Sequence, residues 1–288
     1  MYTDSNGKKW FKGNLHMHTK RSDGRLTPEE AIALYRKNGY DFIALTDHWK
    51  VSKTERHGDL LVLSGCEYNV GKTPSEGIFH IVGAGMYTDP CLDRADSAQE
   101  IIDRIRACGG FAVLAHPAWS LNTPEQLRSL HGYDATEIFN SVSDFPRNCR
   151  PYSGAIVDLL ASEGNCVPLI ATDDAHWYAE TDTCRSYIWV QADENSPEAL
   201  LSAMRAGRFY ATQGPRISVK KEDRRLVVET TPASRITFFS DAVWVNNRSA
   251  VSENVTSCEY AIHANETFVR VEVTDAQGRT AWWSPISV

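Results

Sequence analysis

Over the first two-thirds of the chain, short apolar runs alternate with longer amphipathic stretches. Lys9–His18, Asp41–Thr46, Leu60–Ser64, Phe79–Gly83, Phe111–Ala115, Ala135–Asn140, Val167–Ala171 and Arg185–Val190 read as strands. Helices are predicted between them. Thr27-Pro28-Glu29-Glu30 places a cap, a first-turn proline and a capping-box glutamate, and Gly39 ends that helix. Ser97 and Glu100 open a second one, running to Cys108. Further helices are expected over Thr123–His131, Tyr152–Glu163 and Ser196–Ala206. Strand–helix alternation implies a mostly parallel sheet with helices packed outside it. After Gly207 the pattern changes to alternating strands such as Leu226–Thr230, Arg235–Phe239 and Thr267–Val273, with no helical period. The expectation is an α/β barrel over residues 1–212 and a small antiparallel β domain of sandwich type over 213–288.

Polar residues of one kind recur where these strands end. His16 and His18 are two apart, so an extended strand points both to one face. His48 follows Asp41–Thr46, Glu67 follows Leu60–Ser64, His80 lies in Phe79–Gly83, and His116 follows Phe111–Ala115. Asp173-Asp174-Ala-His176 follows Val167–Ala171; the Asp-x-His spacing favours Asp174 as the partner of His176, with Asp173 the alternative. Asp23 sits in the turn after His18. In α/β barrels the C-terminal strand ends form one site. Imidazole and carboxylate together suit zinc, manganese or iron, and nine candidate ligands call for two or three divalent transition-metal ions. Asn140 ends a strand and Arg185 follows the Asp174–His176 loop, so both are candidates for binding substrate. Cys66 and Cys184 read as small buried residues.

Composition narrows the classes. The 288 residues carry a net charge of −7 and no basic run, so no nucleic-acid partner is expected. No apolar run approaches the ~18 residues a membrane span needs. Seven cysteines, an odd number without Cys-x-x-Cys, read as reduced cytoplasmic thiols.

His16-x-His18, Ser22-Asp23-Gly24, Thr46-Asp47-His48, Gly65-x-Glu67, His80, Ala115-His116-Pro117 and Asp174-Ala175-His176 together resemble the PHP (polymerase and histidinol phosphatase) family. The tail, from Gly207 to Ala281-Trp282-Trp283, is similar to members with a C-terminal β domain, including those grouped with carbaryl hydrolase. The resemblance implies a distorted TIM-like (βα)7 barrel around a di- or trinuclear metal site. It implies a first ion on His16, His18, Glu67 and Asp174. Glu67 then bridges to a second ion on His80 and His116, and Asp23, His48 and His176 hold a third. Many members carry histidine where this chain has Asp23. The implied activity is hydrolysis of a small phosphorylated substrate, with Asp23, His48, Glu67 and His176 at the chemistry. Cleavage of a carboxylic ester, carbamate or amide at the same site is the alternative.

Overall fold

The computed structural model describes residues 1–72 and 78–288, and the chain folds as two compact units. The first comprises Met1–Ser153 and Ile170–Phe209; the second comprises Gly154–Leu169 and Tyr210–Val288.

The first unit is mixed α/β. In one sheet, Lys9–Asn14 pairs in parallel with Phe42–Ala44, and Phe42–Ala44 pairs in parallel with Leu60–Leu63. Tyr187–Gln191 and Glu55–His57 flank them as antiparallel strands. The other sheet runs in the order Leu169–Thr172, Ala135–Asn140, Phe111–Leu114, Phe79–Ala84, Gly65–Val70. Its last three strands are successively antiparallel, where strict βα repetition would make them parallel. The apolar run at 60–64 also breaks at Ser64, whose hydroxyl donates to the Met86 carbonyl. Glu67 therefore lies inside Gly65–Val70 and not beyond a strand end.

Helices form where the caps predict them. Thr27 and Ser97 each make a reciprocal capping box, giving Pro28–Lys37 and Ala98–Ala107. A third box, Thr123 with Gln126, starts the short helix Pro124–Arg128. Pro28–Lys37 buries Ile32 and Tyr35 in a core with Met17, Ile43 and Val62.

Backbone bonds tie the two sheets together beside the histidines. Thr46 N donates to the Met17 carbonyl, Glu67 N to Thr46, Trp49 N to Glu67, His18 N to Ala175 and Asp174 N to His16. Residues 16–18, 46–49, 67 and 174–175 are thus held edge to edge, which fixes the direction of their side chains.

The second unit is an antiparallel sheet carrying one helix, Gly154–Ser162. Two tail runs that the sequence suggests as separate strands form a single 16-residue strand, Arg225–Ser240. Its register with Ser249–Ala261 shifts around Ala233. Pro232, which lacks an N–H, lies beside that shift. Phe268–Thr274 and Thr280–Ser287 complete the sheet, and Ala211 pairs with Trp282.

Candidate metal centre

His16, His18, Glu67 and Asp174 converge in the first unit. All four are buried. His16 Nε2 and His18 Nε2 are 3.2 Å apart. Each lies 3.0–3.2 Å from both Glu67 Oε2 and Asp174 Oδ1. Four donors at about 2.1 Å from one ion, placed tetrahedrally, sit about 3.4 Å apart. Asp174 Oδ1 and His48 Nδ1 are buried without a hydrogen-bond partner. Two imidazoles and two carboxylates at this spacing, with orphaned donor atoms among them, fit a divalent cation.

Two further groups adjoin the first. Glu67 Oε1 lies 2.6 Å from His80 Nδ1 and 3.3 Å from His116 Nε2. Asp23 Oδ1 is 3.4 Å from His18 Nδ1, and Asp23 Oδ2 is 3.8 Å from His48 Nε2 and 3.6 Å from His176 Nε2. All nine histidine, aspartate and glutamate residues named from the sequence thus fall into three contiguous groups, with Glu67 joining the first to the second.

Local backbone explains how the side chains arrive. His116 and Asp174 have positive φ, 27° and 50°. Such a conformation is disfavoured for residues with a Cβ and must be held by its surroundings. Here the His116 N–H donates to Glu137 Oε2 at 2.9 Å and the Asp174 N–H to the His16 carbonyl at 2.9 Å. In the turn that presents Asp23, a Cβ on Gly24 would stand 2.1 Å from the His18 carbonyl oxygen, so only glycine fits. Buried Asp47 holds the same turn by accepting from Thr19 N and Oγ1 and from Ser22 N and Oγ.

Glu137 is the site residue that sequence reasoning missed. It is fully buried. Oε1 lies 2.7 Å from His16 Nδ1 and accepts from Thr172 Oγ1 at 2.7 Å; Oε2 accepts from Asn140 Nδ2 at 2.9 Å. A carboxylate on Nδ1 leaves the His16 Nε2 lone pair facing the cluster, the usual support for a metal-ligating histidine. The available signal was Glu137 three residues before Asn140.

Asn140 and Arg185 sit differently from expectation. The Asn140 amide donates to Glu137 and, at 3.1 Å, to Asp174 Oδ2, while its Oδ1 accepts from Ser143 N and Oγ. Its hydrogen bonds position Asp174, a candidate ligand. Arg185 donates to the Thr181 carbonyl at 2.7 Å and pairs with Asp144 at 3.3 Å. It does not line the cavity over the cluster. Asp173 turns away from the cluster. It accepts from Tyr35 Oη and from the N–H groups of Cys184, Arg185 and Ser186, and burial raises its carboxyl to about 6.

Electrostatics follow the geometry. Burial alone would lower the His18 pKa, but the carboxylates of Asp174 and Glu67 outweigh it and raise it to about 9. His16 and His116 move up against burial for the same reason. Burial would raise Glu67 and Asp174, yet the surrounding imidazoles hold both well below the usual carboxylate range. The field that favours protons here also favours a metal cation, and the two compete. The cavity above the cluster, about 260 Å³, is lined by Asp23, His48, Glu67, His80, His116, Asp174 and His176 and by Trp119, Val142, Ser143, Asn148 and Trp177.

This arrangement gathers candidate metal donors into adjoining groups on a PHP-like fold. A two-domain protein from Bacteroides vulgatus containing a predicted PHP-like metal-dependent phosphoesterase is similar over 100% of this chain and 98% of its own, with a TM-score of 0.57 at 17% identity. The resemblance to the PHP family is thereby shown in the fold and in the two-domain architecture. No family model matches the chain. An uncharacterized protein from Methanocaldococcus jannaschii is 27% identical over 124 residues, covering 37% of this chain and 68% of its own. Endonuclease Q, solved with a 27-mer duplex substrate bearing an abasic lesion at the active site, is 12% identical, over 69% of this chain and 57% of its own, with a TM-score of 0.49. The expectation that nucleic acid is excluded as a partner is corrected: it rested on whole-chain charge alone, and a structure similar to this chain was solved with a duplex. A likeness this distant assigns no substrate here. The physical reason is that a net charge of −7 describes the whole chain, whereas binding depends on the local field at a site. Among the described residues no helix is long and apolar enough to cross a membrane.

Proposed function

We propose that this chain is a metal-dependent hydrolase that cleaves phosphate esters of small molecules, within a distorted (βα)7-type barrel spanning about residues 1–212. The observation that carries the reading is the first donor group, in which each of two imidazoles lies 3.0–3.2 Å from both of two carboxylates, joined through Glu67 to His80 and His116. In this reading His16, His18, Glu67 and Asp174 hold one divalent ion, Glu67, His80 and His116 a second, and Asp23, His48 and His176 a third. Zinc, manganese and iron suit the donors. When bound, such ions supply a nucleophile at neutral pH and stabilise charge developing on phosphoryl oxygens.

The chain's own residues do the rest. Glu67 joins two metal sites with one carboxylate. Burial raises the Asp23 pKa, but His176, His18 and His48 overcome that and keep its carboxyl ionised at neutral pH. Asp23 can then orient His48 and His176, whose side chains are about one-fifth exposed. As ligands of the third ion these imidazoles would pass no proton themselves and would instead place that ion's charge beside the leaving oxygen. Trp119 and Val142 exclude water from one wall of the cavity.

Those apolar walls also suit a neutral aryl ester or carbamate, which is the second reading. Kinetics on p-nitrophenyl phosphate, a bis-aryl phosphate and an aryl carbamate, with manganese or zinc added, separate the two. The phosphate-ester reading expects the highest kcat/KM on a phosphate and competitive inhibition by inorganic phosphate. Highest kcat/KM on the carbamate, without phosphate inhibition, replaces it with the second reading.

A further inference from the structure

Two guanidinium groups pack on Trp177, a residue of the cavity lining, without lining the cavity themselves. Arg25 Cζ lies 4.2 Å and Arg147 Cζ 4.4 Å from the centroid of the Trp177 ring. Both arginines are exposed. Among the described residues, neither pairs with a carboxylate, whereas Arg185 is paired with Asp144. Trp177 lines the cavity, and so does Asn148, the neighbour of Arg147. The platform is fixed at its backbone. Trp177 N donates to Asp182 Oδ2 at 2.7 Å, and Arg25 N donates to the carbonyl of His176 at 2.8 Å.

Two cations on one ring lie within a Debye length, about 10 Å at 0.1 M salt, so they repel each other. An oxyanion accepting from both would relieve that repulsion, and guanidinium forks suit carboxylate and phosphate. The depth of the two places differs. Trp177 is 38% exposed, against 1% for Glu67 and 4% for Asp174. The ring therefore marks the rim and the ligand cluster the floor.

We infer that Arg25 and Arg147, seated on Trp177, form a rim subsite for a second oxyanion of the substrate, carried on the leaving group beyond the phosphoryl group at the cluster. The inference rests on the phosphate-ester reading for the group at the floor. It narrows the substrate class to phosphate esters bearing another carboxylate or phosphate.

The test is calorimetric titration of the metal-loaded protein with phenylphosphonate and 4-carboxyphenylphosphonate, neither of which has an ester bond to cleave. The carboxylated compound is expected to bind at least tenfold more tightly, with the gap shrinking as salt is raised. The gap should collapse in R25A/R147A and survive in part in R25K/R147K. Equal affinities, no binding of either compound, or a gap that persists in R25A/R147A overturns the inference. A gap without hydrolysis of any phosphate ester leaves the subsite standing and removes the proposed reaction. A third ligand, 5′-phosphorylated dithymidine, separates two sources of the second anion. An affinity that drops in R25A/R147A supports a nucleotide strand, and a drop confined to the carboxylated aryl compound supports a small molecule.

Discussion

The two units treat buried charge in opposite ways. In the second, Arg270 is 1% exposed at its side chain and is matched on two sides. Asp158 receives it bidentately at 2.5 and 2.9 Å, Glu272 takes another N–H, and the guanidinium lies 3.9 Å from the Phe239 ring centroid. Glu266 in the same unit accepts from Tyr260 Oη, Ser240 Oγ and His263 N. In the first unit, His16, His18, Glu67 and Asp174 crowd around one point, and Asp174 Oδ1 and His48 Nδ1 are left without hydrogen-bond partners. Paired buried charge holds a fold together. Buried lone pairs converging without enough protons to satisfy them mark a place for a cation.

The largest expected effect breaks the first half of that comparison. Glu67→Gln should lower kcat by about 10³-fold or more, exceeding any single histidine substitution, because an amide can neither join two sites nor offset their charge. A loss below about tenfold would take Glu67 out of the cluster's chemistry. The matching variant in the second unit is Arg270→Met, which strands Asp158 and Glu272. It should destabilise the protein by about 3 kcal/mol in denaturant unfolding while bound metal stays the same. Loss of metal in that variant would show that the units do not divide structure from chemistry as described.

Glu137→Gln sharpens the comparison. Glu137 is fully paired, like the charges of the second unit, yet its partners include a ligand. Its two oxygens take two interactions each, so a glutamine must turn its NH₂ towards donors. Metal affinity should fall about 10- to 100-fold, measured by competition with a chelator. Unchanged affinity would make Glu137 a core residue only.

The smallest effect is one of pH. In the metal-free protein the His18 pKa is raised to about 9, so below that value metal must displace a proton. Affinity should weaken by about tenfold per pH unit for each proton displaced as pH falls, and binding should release protons to the buffer. A pH-independent affinity between 6 and 8 would contradict the charge balance drawn for the cluster.

These residues also show what could be read in the sequence. The convergence of the candidate ligands was legible because each is fixed to a strand or its end by local rules: the two-residue repeat for His16 and His18, and apolar runs delivering His116 and Asp174. Capping boxes placed the first two helices for the same reason. Glu137 was not legible, because inside a strand its alternation differs from that of Asn140; the two meet only where that strand ends. Arg185 was misleading. A long side chain can turn several ways, and Asp144, 41 residues away, decides which. The antiparallel run from Gly65 to Leu114 was hidden too, since strand direction depends on pairing that no local pattern encodes.

The account rests most directly on metal content. Elemental analysis of the purified protein, with anomalous scattering from crystals to place each ion, should find two or three transition-metal ions per chain, at His16/His18/Glu67/Asp174, at Glu67/His80/His116 and at Asp23/His48/His176. His16→Ala should lose at least the first. Fewer than one ion per chain, with activity intact after chelation, would contradict it.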